Sequence, residues 1–470
     1  MTEVEIAQRD IQHLEPFVGA EALARAREAA SRLRDWLGIR RIFTVSSTAV
    51  GGGVAEMLMP LLSYAHSLEI HVRWLVIEGD PAFFRVTKRL HHALHGSPGD
   101  GSPLDDEARA VYQATSARNA AALEATIRPG DVALLHDPQT AGLVPALAAR
   151  GVAVLWRCHI GHDRPSPEVT RGWQFLAPWL APATATIFSR PSYVPAILDA
   201  ARSHIIQPSI DAMSPKNQPL EPAAVRAIVG HLGVTAGAAG VPSYPRADGS
   251  TGLVTRTADI LRLGPPPAPD VPLVVQVSRW DPLKDMAGVM RAFAAMVADG
   301  RAGRAHLLLV GPDVRGVADD PEGPAVHAAT AAAWAALPAQ ARERIALCML
   351  PTASVEENAI MVNAIQRHAA VVTQKSLHEG FGLTVTEAMW KSRPVVASAV
   401  GGIQDQIEPG VHGLLLPDPE DLPGFAALVA SLLADPAAAA RMGAAAHQRV
   451  RERFLGVRHL LQYAALIQQV

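Results

Sequence analysis

The sequence predicts two doubly wound α/β domains in one chain. Short β-branched or apolar runs alternate with longer helical patterns, and the alternation falls into two separate series. A chain of 470 residues is also too long for one hydrophobic core, at roughly 100–200 residues per domain. The first series places strands at Arg41–Ser46, His71–Ile77, Val132–His136, Val152–Trp156 and Thr184–Phe188. The second places them at Leu273–Ser278, His306–Val310, Ile345–Met349, Ala370–Thr373 and Pro394–Ala397. Between them lie amphipathic helices such as 285–298, where Val289, Met290, Phe293, Met296 and Val297 form one apolar stripe. Strand–helix alternation implies parallel sheets joined by right-handed crossovers.

The domain boundary is expected after Asp211, giving 1–211 and 212–449, with an amphipathic last helix over about 450–470 packing back on the first domain. Segment 234–252 is rich in Gly, Pro and Ala and reads as a flexible insertion. Hydrophobic residues make up 49% and charged residues 19%, which excludes overall disorder. The formal charge of −3 offers no cationic field for nucleic acid or anionic membrane. Two cysteines, Cys158 and Cys348, are too few for a disulfide framework or a Cys-rich zinc site. An acidic N-terminus and the lack of a long uncharged apolar run point to a cytoplasmic protein without membrane or nucleic-acid partners.

Ligands of open α/β sheets bind beyond the C-terminal ends of strands, so the residues just after each strand are the informative ones. Gly51, Gly52 and Gly53 form a strand-to-helix turn that suits a phosphate, or simply a tight turn. A dinucleotide fingerprint fails because Glu56 stands where the third glycine belongs, and a Walker lysine is missing. Asp137 and Gln139 are placed on a loop by Pro138, where their planar polar groups suit sugar hydroxyls. His159 is either a sugar-contacting or proton-transferring group, or a structural histidine. Pro282 is expected to keep 279–284 a loop, so that Arg279 and Lys284 present two cations suited to a diphosphate. In HEGFGLTVTEAM, Gly380 and Gly382 precede a helix start. Glu379 and Glu387 stand eight residues apart, a spacing that suits two ends of a longer ligand better than a glycosidase pair.

The E-x7-E segment together with SRWDPLKD resembles the retaining nucleotide-sugar glycosyltransferases of family 4. STAVGGGVAEML, HALHG, HDPQTAGL, WRCHIG and PSIDAMSPKN narrow the resemblance to the trehalose glycosyltransferring synthases, over most of residues 45–413. The resemblance implies a GT-B fold, two Rossmann-like domains facing a central cleft, the N-terminal one on the acceptor side and the C-terminal one binding the nucleotide sugar. It implies α,α-trehalose formation from UDP- or ADP-glucose and free glucose. Arg279 and Lys284 would hold the donor diphosphate, Glu387 the ribose, and Glu379 with Gly380, Phe381, Gly382, Leu383 and Thr384 the donor glucose. The Gly51–Gly53 turn would approach the donor phosphate. His159 would sit at the sugar, with Asp137, Gln139, Lys88 and His91 on the acceptor side. No tightly bound cofactor and no metal site are expected, Mg2+ being at most stimulatory; a homodimer is what the family suggests. The competing readings are a trehalose phosphorylase, a related glucosyltransferase with another acceptor, and a nucleotide-sugar sensor without turnover.

Overall fold

The computed structural model describes residues 1–49, 52–237, 240–316 and 322–470. The chain forms two compact units, Met1–Asp211 with Phe454–Val470, and Ala212–Arg453. In the first unit the strands are β1 (Thr2–Val4), β2 (Ile42–Ser46), β3 (Val72–Val76), β4 (Val132–His136), β5 (Ala153–Arg157), β6 (Ala185–Phe188) and β7 (Ser203–Ile205). They lie in the order β1-β3-β2-β4-β5-β6-β7, parallel throughout except for β1, which runs antiparallel along β3. The core is built from inward side chains of these strands, Phe43, Val45, Leu135, Val154 and Trp156 among them, and from the helices laid over them.

In the second unit a helix, Pro222–His231, is followed by a hairpin, β8 (Ser243–Pro245) and β9 (Thr251–Leu253). Its sheet contains β10 (Asp259–Leu261), β11 (Leu273–Val277), β12 (His306–Pro312), β13 (Ile345–Leu350), β14 (Val371–Gln374), β15 (Val395–Ser398) and β16 (Leu414–Leu416). The order is β10-β13-β12-β11-β14-β15-β16, with only β10 antiparallel. In each sheet the strand order reverses once, between β2 and β4 and between β11 and β14. Crevices at such reversals, beyond the strands' C-terminal ends, are where doubly wound folds bind ligands.

The strands that the sequence predicts are present, shifted by a residue or two at their ends, and the apolar stripe of Met286–Ala298 is buried. Other expectations are corrected. From within 234–252 to Leu253 stands the β8–β9 hairpin, pinned by buried Tyr244 and by Gln218 Nε2 donating to the Pro245 carbonyl (2.8 Å). Its two three-residue strands are too short for a period-2 signal. The last helix is two helices, Pro436–Arg453 and Gly456–Ile467, broken at buried Phe454 and Leu455. At that break Ile210 donates its N–H to the Phe454 carbonyl (2.9 Å), so the chain leaves and rejoins the first unit side by side. Asp211 closes the exit, accepting from Arg9 Nη1 (2.8 Å) and from the Tyr64 hydroxyl (2.9 Å). Helix Gly456–Ile467 packs on Ala20–Leu37 and Gly52–Ser67. Cys158 and Cys348 are both buried free thiols. No single helix among the described residues is long and apolar enough to cross a membrane.

Candidate active site

At the β11/β14 reversal the segment after β11 is fixed at both ends. Trp280 is fully buried, donates from Nε1 to the Pro312 carbonyl (2.9 Å), and lies so close over Gly311 that a Cβ there would stand 2.5 Å from the indole. Gln276, also buried, donates from Nε2 to the Lys284 carbonyl (2.7 Å) and accepts from the Lys375 N–H (3.0 Å). Pro282–Lys284 is a short 3-10 turn rather than an open loop, because the Asp281 carboxylate caps it through the Leu283 N–H (2.8 Å). With the backbone held, the cations take defined places. Lys284 Nζ donates to Glu379 Oε2 (2.7 Å), which also accepts from Ser376 Oγ (3.1 Å). Arg279 is half exposed and pairs with Asp281 (2.9 Å). Beneath them Lys375, fully buried, pairs with Asp285. Asp285 adopts a left-handed φ of 43° and caps Met286–Ala298.

The glycine segment is shaped by packing. Gly382 has φ 83° and stands at the start of helix Leu383–Trp390, where a Cβ would meet Ile403 at 2.9 Å, so only glycine fits. Gln406 donates to the Phe381 carbonyl (2.6 Å), Gly402 donates to the Gly380 carbonyl (3.0 Å), and Thr384 donates to Gln374 Oε1 (3.0 Å). Glu387 lies on that helix, buried, with Oε1 3.8 Å from Lys216 Nζ. One turn on, the buried Lys391 ammonium donates to Asn217 Oδ1 (3.0 Å) and to the Glu387 carbonyl (3.1 Å). Burial pulls Lys391 down from its ordinary pKa, and the Glu387 charge opposes that pull. The two glutamates therefore have separate partners, Lys284 for Glu379 and Lys216 for Glu387.

At the β2/β4 reversal, Gly51 lies outside the described residues, Gly52 opens helix Gly52–Ser67, and Gly53 is exposed. Asp137 is not followed by a loop: Pro138 occupies the first position of a one-turn helix, Pro138–Ala141, which carries Gln139. Gln139 Oε1 is buried with no hydrogen-bond partner among the described residues. Asp137 takes φ 65°, ψ 175°, a backbone region that costs a non-glycine residue about 1–3 kcal/mol. It is held there on every side. Its N–H donates to the Arg157 carbonyl (2.8 Å), its carbonyl accepts from Trp156 Nε1 (3.0 Å), and its Oδ1 accepts from the His159 N–H (2.7 Å). Burial lifts the Asp137 carboxyl to about 7, against the opposing pull of the His159 N–H and the Arg157 charge.

His159 Nε2 lies 3.0 Å from His136 Nδ1, and Arg157 Nε faces His159 Nδ1 at 3.4 Å. Burial and the Arg157 charge hold His159 well below the ordinary histidine range, and burial takes His136 down to about 3. A neutral imidazole with both nitrogens facing protein partners is poorly placed for proton transfer, which narrows the expected role of His159 to an oriented polar contact. Lys88 is exposed on helix Pro81–Leu94, and His91 on the same helix stands edge-on to His95, ring centroids 4.7 Å apart. Sequence reasoning missed Lys216, Gln276, Lys375 and Arg157. For the last three the available signal was a charge or amide in or directly after an apolar strand, as in VVTQK and VLWR; Lys216 carries no such signal. Among the described residues no three His, Cys, Asp or Glu side chains are grouped to hold a metal ion.

Residues 44–195 match the family model of the trehalose synthase N-terminal domain, and residues 264–449 match that of glycosyl transferases group 1. The chain is 32% identical over 463 residues to a trehalose synthase of Pyrococcus horikoshii, covering 98% of this chain and 96% of that one. It is 35% identical over 447 residues to a trehalose synthase of Rubrobacter xylanophilus, covering 94% and 93%. A trehalose phosphorylase of Pleurotus pulmonarius is 27% identical, covering 86% of this chain but 54% of its own length. Among solved structures, an α,α-trehalose 6-phosphate synthase of Burkholderia multivorans superposes with a TM-score of 0.65 at 16% identity, covering 92% and 96%.

Proposed function

This chain belongs to the trehalose synthase family of glycosyltransferases, a hexosyltransferase of the GT-B fold, and we propose that it makes α,α-trehalose from a nucleoside-diphosphate glucose and free glucose, with retention at the donor's anomeric carbon. The observation that carries this reading is the Lys284–Glu379 pair at the β11/β14 reversal, with Arg279 beyond the same strand and Glu387 on the helix that follows. When glucose leaves a diphosphate, the anomeric carbon becomes positive and the leaving oxygen negative. Lys284 and Arg279 stabilise that oxygen, an effect larger in the transition state than in the bound donor. Glu379, held by Lys284 and Ser376, takes hydroxyl protons of the donor glucose in hydrogen bonds. Glu387 does the same for the ribose. The bond from anomeric carbon to leaving oxygen breaks, the acceptor hydroxyl oxygen bonds on the same face, and its proton passes to the leaving phosphate oxygen. Asp137, Gln139 and His159 supply the polar groups for the acceptor side.

The phosphorylase reading is weaker because those relatives are more distant and because a phosphate donor has no ribose to engage Glu387. The test is a product assay. Glucose with UDP-glucose, glucose with ADP-glucose, and trehalose with phosphate are incubated separately with the protein, and products are identified by NMR. Trehalose with matching nucleotide release is expected. Glucose 1-phosphate from the third tube alone overturns the synthase reading in favour of the phosphorylase.

A further inference from the structure

We infer that Tyr463, on the C-terminal helix, and Arg157, at the end of β5, are positioning residues that fix the ring of His159 at the sugar end of the site. The inference rests on the function proposed above for His159, but its geometry stands apart from it. Arg157 is wholly buried, and its three nitrogens all point at neutral acceptors. Nη1 donates to the Tyr463 hydroxyl (2.9 Å), Nη2 to the Ile206 carbonyl (2.8 Å), and Nε faces His159 Nδ1 (3.4 Å). A guanidinium only donates, so Nδ1 must be the accepting nitrogen and the ring proton of His159 resides on Nε2. Nε2 then donates to His136 Nδ1 (3.0 Å), and His136 in turn donates from its own Nε2 to Thr44 Oγ1 (2.9 Å). One permanent donor thus sets the tautomer of two histidines in series. The backbone of His159 is fixed separately, through Asp137 Oδ1.

The anchor of this series lies 306 residues from Arg157 in sequence. Helix Gly456–Ile467 begins after the chain has completed the second unit and returned to the first. On it, His459 and Tyr463 stack with ring centroids 5.0 Å apart, and His459 Nδ1 lies 2.8 Å from Ser209 Oγ. The helix is also tied to the 207–209 segment, through His459 and through Arg458 Nη2 donating to the Gln207 (2.8 Å) and Pro208 (2.9 Å) carbonyls, but it is Tyr463 that hydrogen-bonds Arg157. Tyr463→Phe removes a single oxygen from the Arg157 contact, whereas Ser209→Ala removes a bond of the same helix without touching Arg157.

The experiment uses the full chain labelled with 15N-histidine, His159 signals being assigned by comparison with His159→Gln. In the wild type, His159 should appear as a neutral ring protonated at Nε2. Tyr463→Phe should move the His159 nitrogen signals and lower kcat about 10-fold, with Kd for the nucleoside diphosphate unchanged. Ser209→Ala should leave both the signals and kcat at wild-type values, even if it lowers Tm equally. A protonated Nδ1 in the wild type, unmoved signals in Tyr463→Phe, or moved signals with wild-type kcat each overturn the inference. Equal kcat losses in Tyr463→Phe and Ser209→Ala also overturn it, reducing Tyr463 to a structural residue. If no trehalose forms with any donor, the proposed function fails while the nitrogen signals still decide whether Tyr463 fixes the ring.

Discussion

Beyond β11 and β14, charged side chains meet in pairs, from half-exposed Arg279 with Asp281 through Lys284 with Glu379 to Lys216 with buried Glu387. Beyond β2, β4 and β5, by contrast, buried Thr44, His136, Arg157 and Tyr463 and half-buried His159 form one series whose histidines are kept neutral. The first arrangement suits a polyanion, which exchanges one set of charge contacts for another. The second suits a neutral sugar, which needs donors and acceptors at fixed angles rather than a field. Topologically equivalent reversals thus carry different electrostatics, and under the function proposed above the diphosphate would go to the first and the acceptor to the second.

The sharpest way to break this contrast is at the charged end. Lys284→Ala and Glu379→Ala should each reduce kcat by ~10²-fold or more. Because the two residues share a hydrogen bond, the double variant should lose less than the product of the single losses, in steady-state kinetics with each variant's fold checked by circular dichroism. Near-native rates in both single variants would remove the diphosphate from this end. A smaller effect is expected at Glu387. Its replacement by Gln should raise the donor KM about 10-fold with kcat nearly unchanged. Either replacement, by Gln or by Ala, should also lower Tm, because the buried Lys391 ammonium loses its counter-charge. Gly311→Ala, which drives a methyl into the Trp280 ring, should cost about 1–3 kcal/mol in denaturant unfolding and raise the donor KM by moving the 279–284 turn.

Proton linkage tests the neutral end. Histidines 136, 159 and 459 have folded pKa values depressed by burial, so each takes up a proton on unfolding below about 6.5. Their stabilising share is present above pH 6.5 and is lost as pH falls below it, for His136 down to about 3. Asp137 works in the opposite sense. Its carboxyl is raised to about 7, so its contribution is complete below its unfolded value near 4 and declines as pH rises toward 7. Three histidines against one aspartate give a net loss on acidification. His136→Gln should flatten the Tm-versus-pH slope between pH 6.5 and 3, and Asp137→Asn should raise Tm at pH 8 relative to the wild type. Unchanged slopes in both variants would mean that this end is not kept neutral.

The charged end was largely legible in advance. Arg279 and Lys284 lie within six residues of each other, Glu379 to Glu387 within nine, and each group follows a strand whose end the hydrophobic pattern marks. The neutral end was legible only in part: HDPQ and WRCHIG marked Asp137, Gln139 and His159, but nothing in them tied Arg157 to a tyrosine near the C-terminus. Gly51 lies outside the described residues, so the first glycine turn adds nothing to either side of the comparison.

By itself the sequence determined the alternation of strands and helices, the doubling of the fold, and the local motifs beyond each strand, because hydrophobic period and turn chemistry act over a few residues. Tertiary structure alone decided the order in which strands pair, and so where each sheet reverses. It also decided that Trp280 and Gln276 brace the cationic turn, that Pro138 begins a helical turn, and that the 243–253 segment pairs as a hairpin. It brought Tyr463 to Arg157 as well. Those choices depend on side chains far apart in the chain finding partners once water is excluded, and a buried guanidinium can donate only to the acceptors that the packed fold delivers.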